Sequence, residues 1–258
     1  MHRIYLSAIL FIFCLNHQAV MAATSEAHPS WPEYTGYRAL DVNGKVQDSL
    51  WQEERTPQKT GTIILLPNWG ERPTNADSMQ PLRQTLPNWG WQTIAIVPPE
   101  PQQRASILSG QDTQAISTYQ QQLLTTLQAI TQAQGEPFGY QVVVAQGVMA
   151  AWVLRIYNQQ QLPLPNALVL ISSYFPNPSL NDQIAQQISE LTIPVYDIYY
   201  QQSNRWSIQG AHARLIETQR RQKSDYRQSE ILSAPYLEDS GQLLAKQLYG
   251  WFNALGWY

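Results

Sequence analysis

Short runs of aliphatic and β-branched residues recur along the chain, each closed by proline, glycine or asparagine. Thr62–Leu66, Trp91–Val97, Val142–Ala145, Ala167–Ile171 and Pro194–Tyr199 are largely apolar without alternation. That is the pattern of strands covered on both faces. Tyr226–Leu232 extends the series as a last strand. Between these runs the apolar residues change period. Ile116, Tyr119, Leu123, Leu127 and Ile130 recur at three or four, which predicts an amphipathic helix over Thr113–Gln134. Leu180, Ile184, Ile188 and Leu191 mark another helix, and Leu244, Leu248, Trp251 and Leu255 a C-terminal one. Pro81–Leu86, the segment from Ala150 to Tyr157, and Arg205–Lys223 complete the helices, with Gln102–Asp112 expected as a polar loop. At the other end, Arg38–Val42 and Lys45–Trp51 flank Asn43-Gly44, a pair suited to the two positive-φ positions of a tight hairpin turn.

A hairpin followed by alternating strands and helices predicts an α/β fold: a three-layer sandwich around a mostly parallel sheet of about eight strands. No shift of composition divides it, so residues 23–258 are expected to form a single domain. Length 258, 43% hydrophobic residues and only 14% charged residues suit a large folded core rather than a disordered chain. A formal net charge of −3 offers no basic surface for nucleic acid. Met1-His2-Arg3, the apolar run Ile4–Leu15 and Val20-Met21-Ala22 have the layout of a secretory signal peptide over residues 1–22. Export to the periplasm is the corresponding expectation. Cys14, the only cysteine, falls within that segment, so the exported chain would have neither disulfides nor thiolate chemistry.

The junction Val142–Trp152 is where a buried strand runs directly into an alanine-rich helix. On an α/β-hydrolase this is the nucleophile elbow, Gly-x-Ser-x-Gly. The five corresponding residues are Ala145, Gln146, Gly147, Val148 and Met149, with Gly147 at the serine position. Other stretches resemble one family more closely. They are Leu65–Pro73, Pro81-Leu82-Arg83, Gly90–Thr93, Ala150-Ala151-Trp152, Ile193–Tyr199 and Tyr226-Arg227-Gln228. In order and spacing they resemble a bacterial family of exported α/β-hydrolase-like proteins, domain of unknown function 3530. The resemblance implies the fold and an envelope location, and brings no established reaction.

Hydrolysis on this fold requires a nucleophile, a histidine base, an orienting acid and oxyanion donors. Gly147 has no side chain to attack with, and the loop after the last strand, Ser233–Glu238, contains no histidine. Asp197 is the best-placed remnant acid, expected near the end of the seventh strand. Ser172 and Ser173 lie after the sixth strand without an identifiable base, and Ser78 and Ser106 lie in polar connections. No metal-ligand spacing or phosphate loop is present, so neither metal nor cofactor is expected. The expectation is a pseudo-hydrolase that binds a ligand or envelope partner. Candidate contacts are Asn68, Trp69 and Glu71 of the oxyanion loop, Gln146 and Val148 at the elbow, and Asp197 and Tyr199 on the seventh strand. The alternative is an esterase-like enzyme using Asp197 or Glu71. Arg205, Arg214, Arg220, Arg221, Lys223 and Arg227 make one region locally basic, either a docking face or a solvated helix surface.

Overall fold

The structure, a computed structural model, describes residues 36–75 and 78–257. The export signal at residues 1–22, Cys14 and the lead-in carrying His28 lie outside the described residues. Strands β1 (Tyr37–Val42) and β2 (Lys45–Gln52) form the expected hairpin, with Asn43 and Gly44 at φ 53° and 77°. Strands β3 (Gly61–Leu66), β4 (Trp91–Ile96), β5 (Tyr140–Gln146), β6 (Ala167–Ile171), β7 (Val195–Tyr200) and β8 (Tyr226–Ile231) follow. The order across the sheet is β1-β2-β4-β3-β5-β6-β7-β8. β2 pairs antiparallel with both β1 and β4, and all pairs from β3 onward are parallel.

Helices α1 (Met79–Thr85), α2 (Arg104–Ser109), α3 (Thr113–Gln134), α4 (Gly147–Asn158), α5 (Pro178–Glu190), α6 (Arg205–Arg220) and α7 (Glu238–Ala254) cover both faces. Helix α2 corrects the expectation of a polar loop there. With six residues it is too short for a periodic signal, and Ile107 is its one buried side chain. The α3 boundaries agree with the periodicity: Asp112 caps its first turn through Ala115 N–H, and the helix ends before Gly135.

Strand alternation divides the interior in two. Ile64, Leu66, Val143, Ala145, Leu168 and Leu170 face α2, α3, α4 and α5. Ile63, Leu65, Val142, Val144, Val169 and Ile171 face α1 and α7. Because both faces are covered, the central strands need apolar residues at every position, which is why they read as continuous runs. The chain leaves β3 toward β4 on one side and later crosses to β5 on the other. The ends of β3 and β5 therefore lie side by side at the switch point where ligands bind in open α/β sheets, with Leu66 in register with Ala145.

Candidate functional site at the β3–β5 switch point

Gly147 opens α4 directly at the end of β5, with φ 62°. This is left-handed backbone, where a side chain costs about 1–2 kcal/mol and glycine pays nothing comparable. The sharp strand-to-helix turn of an elbow is thus present in shape.

Its interior is occupied by Asn68. A Cβ placed on Gly147 would lie 2.5 Å from both Cγ and Oδ1 of Asn68 and 2.9 Å from Nδ2. The Val148 amide donates to Asn68 Oδ1 at 3.0 Å. On a working elbow the N–H of the residue after the nucleophile is an oxyanion donor. Here that donor is satisfied from within the chain by a carbonyl oxygen. The Tyr174 hydroxyl is a further hydrogen-bonding partner of the Asn68 side chain, and the Tyr174 amide donates to Gly147 O at 3.4 Å. Burial raises the phenol of Tyr174, and Glu71 pushes it the same way, while the Asn68 bond and Arg104 pull it down. Glu71 closes the turn, its amide bonded to Asn68 O at 3.0 Å.

The remaining predicted contacts are wholly or partly buried. Glu71 is half-buried, with its Oε2 atom enclosed. Trp69 turns inward instead of lining an open cleft: it is 5% exposed, in the aromatic cluster of Tyr119, Trp152 and Phe175. Its indole N–H donates to the Tyr119 hydroxyl, and Arg104 lies over its ring at 5.4 Å. Gln146 is buried and, by alternation with Val142 and Val144, sits on the α1–α7 side of the sheet. Val148 contributes its amide while its side chain joins the core.

Asp197 requires the largest correction. It is the third of six residues in β7, so it lies mid-strand rather than at the strand end. It is fully buried, and its Oδ2 takes Arg214 Nε at 2.7 Å, the Tyr226 hydroxyl at 2.8 Å and Gln228 Nε2 at 2.8 Å. Arg214 is itself 1% exposed and extends Nη1 toward Ser173 O and Ser207 O. This cluster ties α6 to β7 and β8 beneath the sheet edge. Tyr226 is held protonated by burial and by the Asp197 charge. Tyr199 lies two residues on, on the same face, and keeps partial exposure.

Ser172 follows β6 at φ 48°, its amide bonded to Ile198 O at 2.6 Å and its hydroxyl buried with no hydrogen-bond partner among the described residues. Ser78 corrects the expectation of a polar connection: it is buried and pairs with the Tyr200 hydroxyl at 3.2 Å. Of the four histidines in the sequence, only His212 falls among the described residues, exposed on α6. In the β8–α7 loop, Tyr236 and Leu237 are exposed. Much of the locally basic region is spoken for internally. Arg220 and Arg221 pair with Glu217, holding its carboxyl near pH 2, and Lys223 binds Leu191 O, Ile193 O and Asp225. No group of three or more potential metal ligands occurs among the described residues. Nor is any helix there long and apolar enough to cross a membrane.

The sequence matches the family described as Protein of unknown function (DUF3530) over residues 33–123 and 108–254. The chain belongs to this family. No curated protein matches it. Among solved structures it resembles Est1E from Butyrivibrio proteoclasticus, with TM-score 0.63 at 11% identity over 85% of this chain and 100% of that one. The esterase domain of a Rhodothermus marinus protein gives TM-score 0.60 at 11% identity, covering 84% and 96%. Alpha/beta hydrolase domain-containing protein 10 from mouse gives 0.58 at 11%, covering 86% and 100%. This DUF3530 member has the α/β-hydrolase fold, and its β2 reversal and two helix layers are those of that architecture.

Asn68, Glu71 and Val148 are brought together at the elbow, and Tyr174, Arg104 and Tyr119 join them unforeseen. Arg104 opens the short helix α2 and Tyr174 sits in the β6–α5 connection, neither with a motif around it. Arg214 had a usable signal: Ser207, Gly210, Ala211, Arg214 and Thr218 form a buried stripe at helical spacing.

Proposed function

We propose that this protein is a pseudo-hydrolase: an α/β-hydrolase scaffold that binds a ligand or cell-envelope partner and does not perform serine-hydrolase chemistry. The supporting observation is the Asn68–Gly147–Val148 contact. The nucleophile position carries no side chain, the space a serine would need holds the Asn68 amide, and the oxyanion donor Val148 N–H is already bonded. A substrate carbonyl entering this turn would have to displace Asn68 and would meet no nucleophile at Gly147. Residues 1–22 are proposed to direct export to the periplasm, which N-terminal sequencing of the fractionated protein checks.

The purified protein, incubated with a fluorophosphonate probe and with p-nitrophenyl acetate, is expected to show neither labelling nor turnover above a heat-denatured control. Serine labelling, at Ser172 above all, would overturn the proposal. The esterase-like alternative has lost one of its carboxylates to the interior, since Asp197 is buried and ion-paired. Glu71, half-buried beside Asn68, is the other carboxylate. A measured turnover abolished by Glu71→Gln would favour that alternative.

A further inference from the structure

A groove of about 720 Å³ lies away from the elbow, between the tip of the β1–β2 hairpin, the segment after β4, and the outer face of α3. A second hollow of about 260 Å³ between α2 and α3 shares Gln102, Gln114, Thr118 and Gln122 with it, so the two form one continuous depression. We infer that this depression binds a neutral oligosaccharide. The site is separate from the elbow and does not depend on whether Gly147 supports chemistry.

The chemistry of the walls carries the inference. Helix α3 has 22 residues and not one Asp, Glu, Lys or Arg among them. A helix with one face in solvent ordinarily places charged residues there. Here the outer face offers Gln114, Ser117, Thr118, Gln121 and Gln122 to the groove. Each amide presents a carbonyl acceptor and two N–H donors, and each hydroxyl both donates and accepts. A sugar hydroxyl is also donor and acceptor at once, so such a wall can satisfy a run of them in either sense.

Desolvating neutral amides and hydroxyls costs far less than desolvating charges, which lets this wall exchange water for a polar neutral ligand. Charged ligands are disfavoured. The groove walls carry only Lys45 and Glu100, of opposite sign, and Asp112 of the adjoining hollow is engaged in capping α3. Val42, Val46 and Pro99 on the opposite wall supply a small apolar surface for the C–H face of a sugar ring, and Val46 is 63% exposed. An extended peptide is a poorer fit. It binds through free main-chain groups of a strand edge, whereas the long wall is a helix whose backbone is internally bonded. The combined volume suits a short oligomer. Tyr119 lines the floor of the smaller hollow and accepts the Trp69 indole N–H, so occupancy has a spectroscopic reporter.

The test is calorimetric titration of the intact protein with maltotetraose, cellotetraose and N-acetylchitotetraose, following Trp fluorescence in parallel. Saturable one-to-one binding of at least one of them is expected. The Thr118→Ala/Gln121→Ala variant, both positions being solvent-facing, should weaken it by about tenfold or more at unchanged thermal stability. The inference is overturned if none of the three binds at millimolar concentration or if the double variant binds equally well. It is also overturned if tetragalacturonate or a neutral tetrapeptide binds in the groove more tightly than every neutral sugar.

Discussion

Substituting Gly147 by alanine places a Cβ in the space occupied by the Asn68 amide. Two costs add. Left-handed backbone at φ 62° costs a non-glycine residue about 1–2 kcal/mol. The new methyl lies 2.5 Å from Cγ and Oδ1 and 2.9 Å from Nδ2, all on one short side chain. No single atom can yield alone: Asn68 must rotate, giving up the Val148 N–H bond and its link to Tyr174. Overpacking of this kind, the displaced amide included, costs about 1–3 kcal/mol. Gly147→Ala is therefore expected to cost about 2–5 kcal/mol, or roughly 4–20 °C in Tm for a domain of this size.

The decisive measurement is a double-mutant cycle with Asn68→Gly, read by urea denaturation and calorimetry. Removing the amide relieves the steric part and leaves the backbone part. The double variant should accordingly be more stable than the sum of the two single changes by about 1–3 kcal/mol. Additivity within about 0.5 kcal/mol, or a Gly147→Ala cost below about 1 kcal/mol, would refute the claim that Asn68 fills the elbow.

The buried Asp197–Arg214 pair makes a second prediction. Arg214→Met leaves a carboxylate without its counter-ion and should cost about 3–5 kcal/mol, whereas Asp197→Leu/Arg214→Met should recover much of that loss; chemical denaturation distinguishes them. Stability should also fall above about pH 10, where phenols in the unfolded chain ionise. Tyr119, Tyr157 and Tyr226 are raised well above the ordinary phenol value, chiefly by burial, so the folded state keeps protons the unfolded state has lost. Their contribution is complete below pH 10 and is lost as pH rises, at about 1.4 kcal/mol per pH unit for each. A flat melting temperature between pH 9 and 11 would contradict this assignment.

What could be read from the chain was whatever depends on neighbours in sequence. Runs such as Val142–Ala145 and stripes such as Ile116–Ile130 repeat at the strand and helix periods, and the boundaries of α3 and β6 agree with them. Asn43-Gly44 marked its turn because both residues tolerate positive φ. Helix α2 was missed for the complementary reason, being too short to repeat. Asp197 was expected nearer the strand end: β7 runs from Val195 to Tyr200, so the residue is third of six, and Arg214 of α6 with Tyr226 and Gln228 of β8 enclose it.

By itself, then, the sequence determined the alternating α/β architecture, the glycine at position 147, and the lack of a histidine after β8, because these follow from local pattern and residue identity. Only the tertiary structure decided that Asn68, eighty positions before Val148, fills the elbow, and that Arg214 neutralises Asp197. The same holds for the uncharged face of α3, which meets the hairpin tip as one wall of a groove. Each of these depends on side chains meeting across long stretches of chain. Register and helix packing set such meetings, and no local period encodes them.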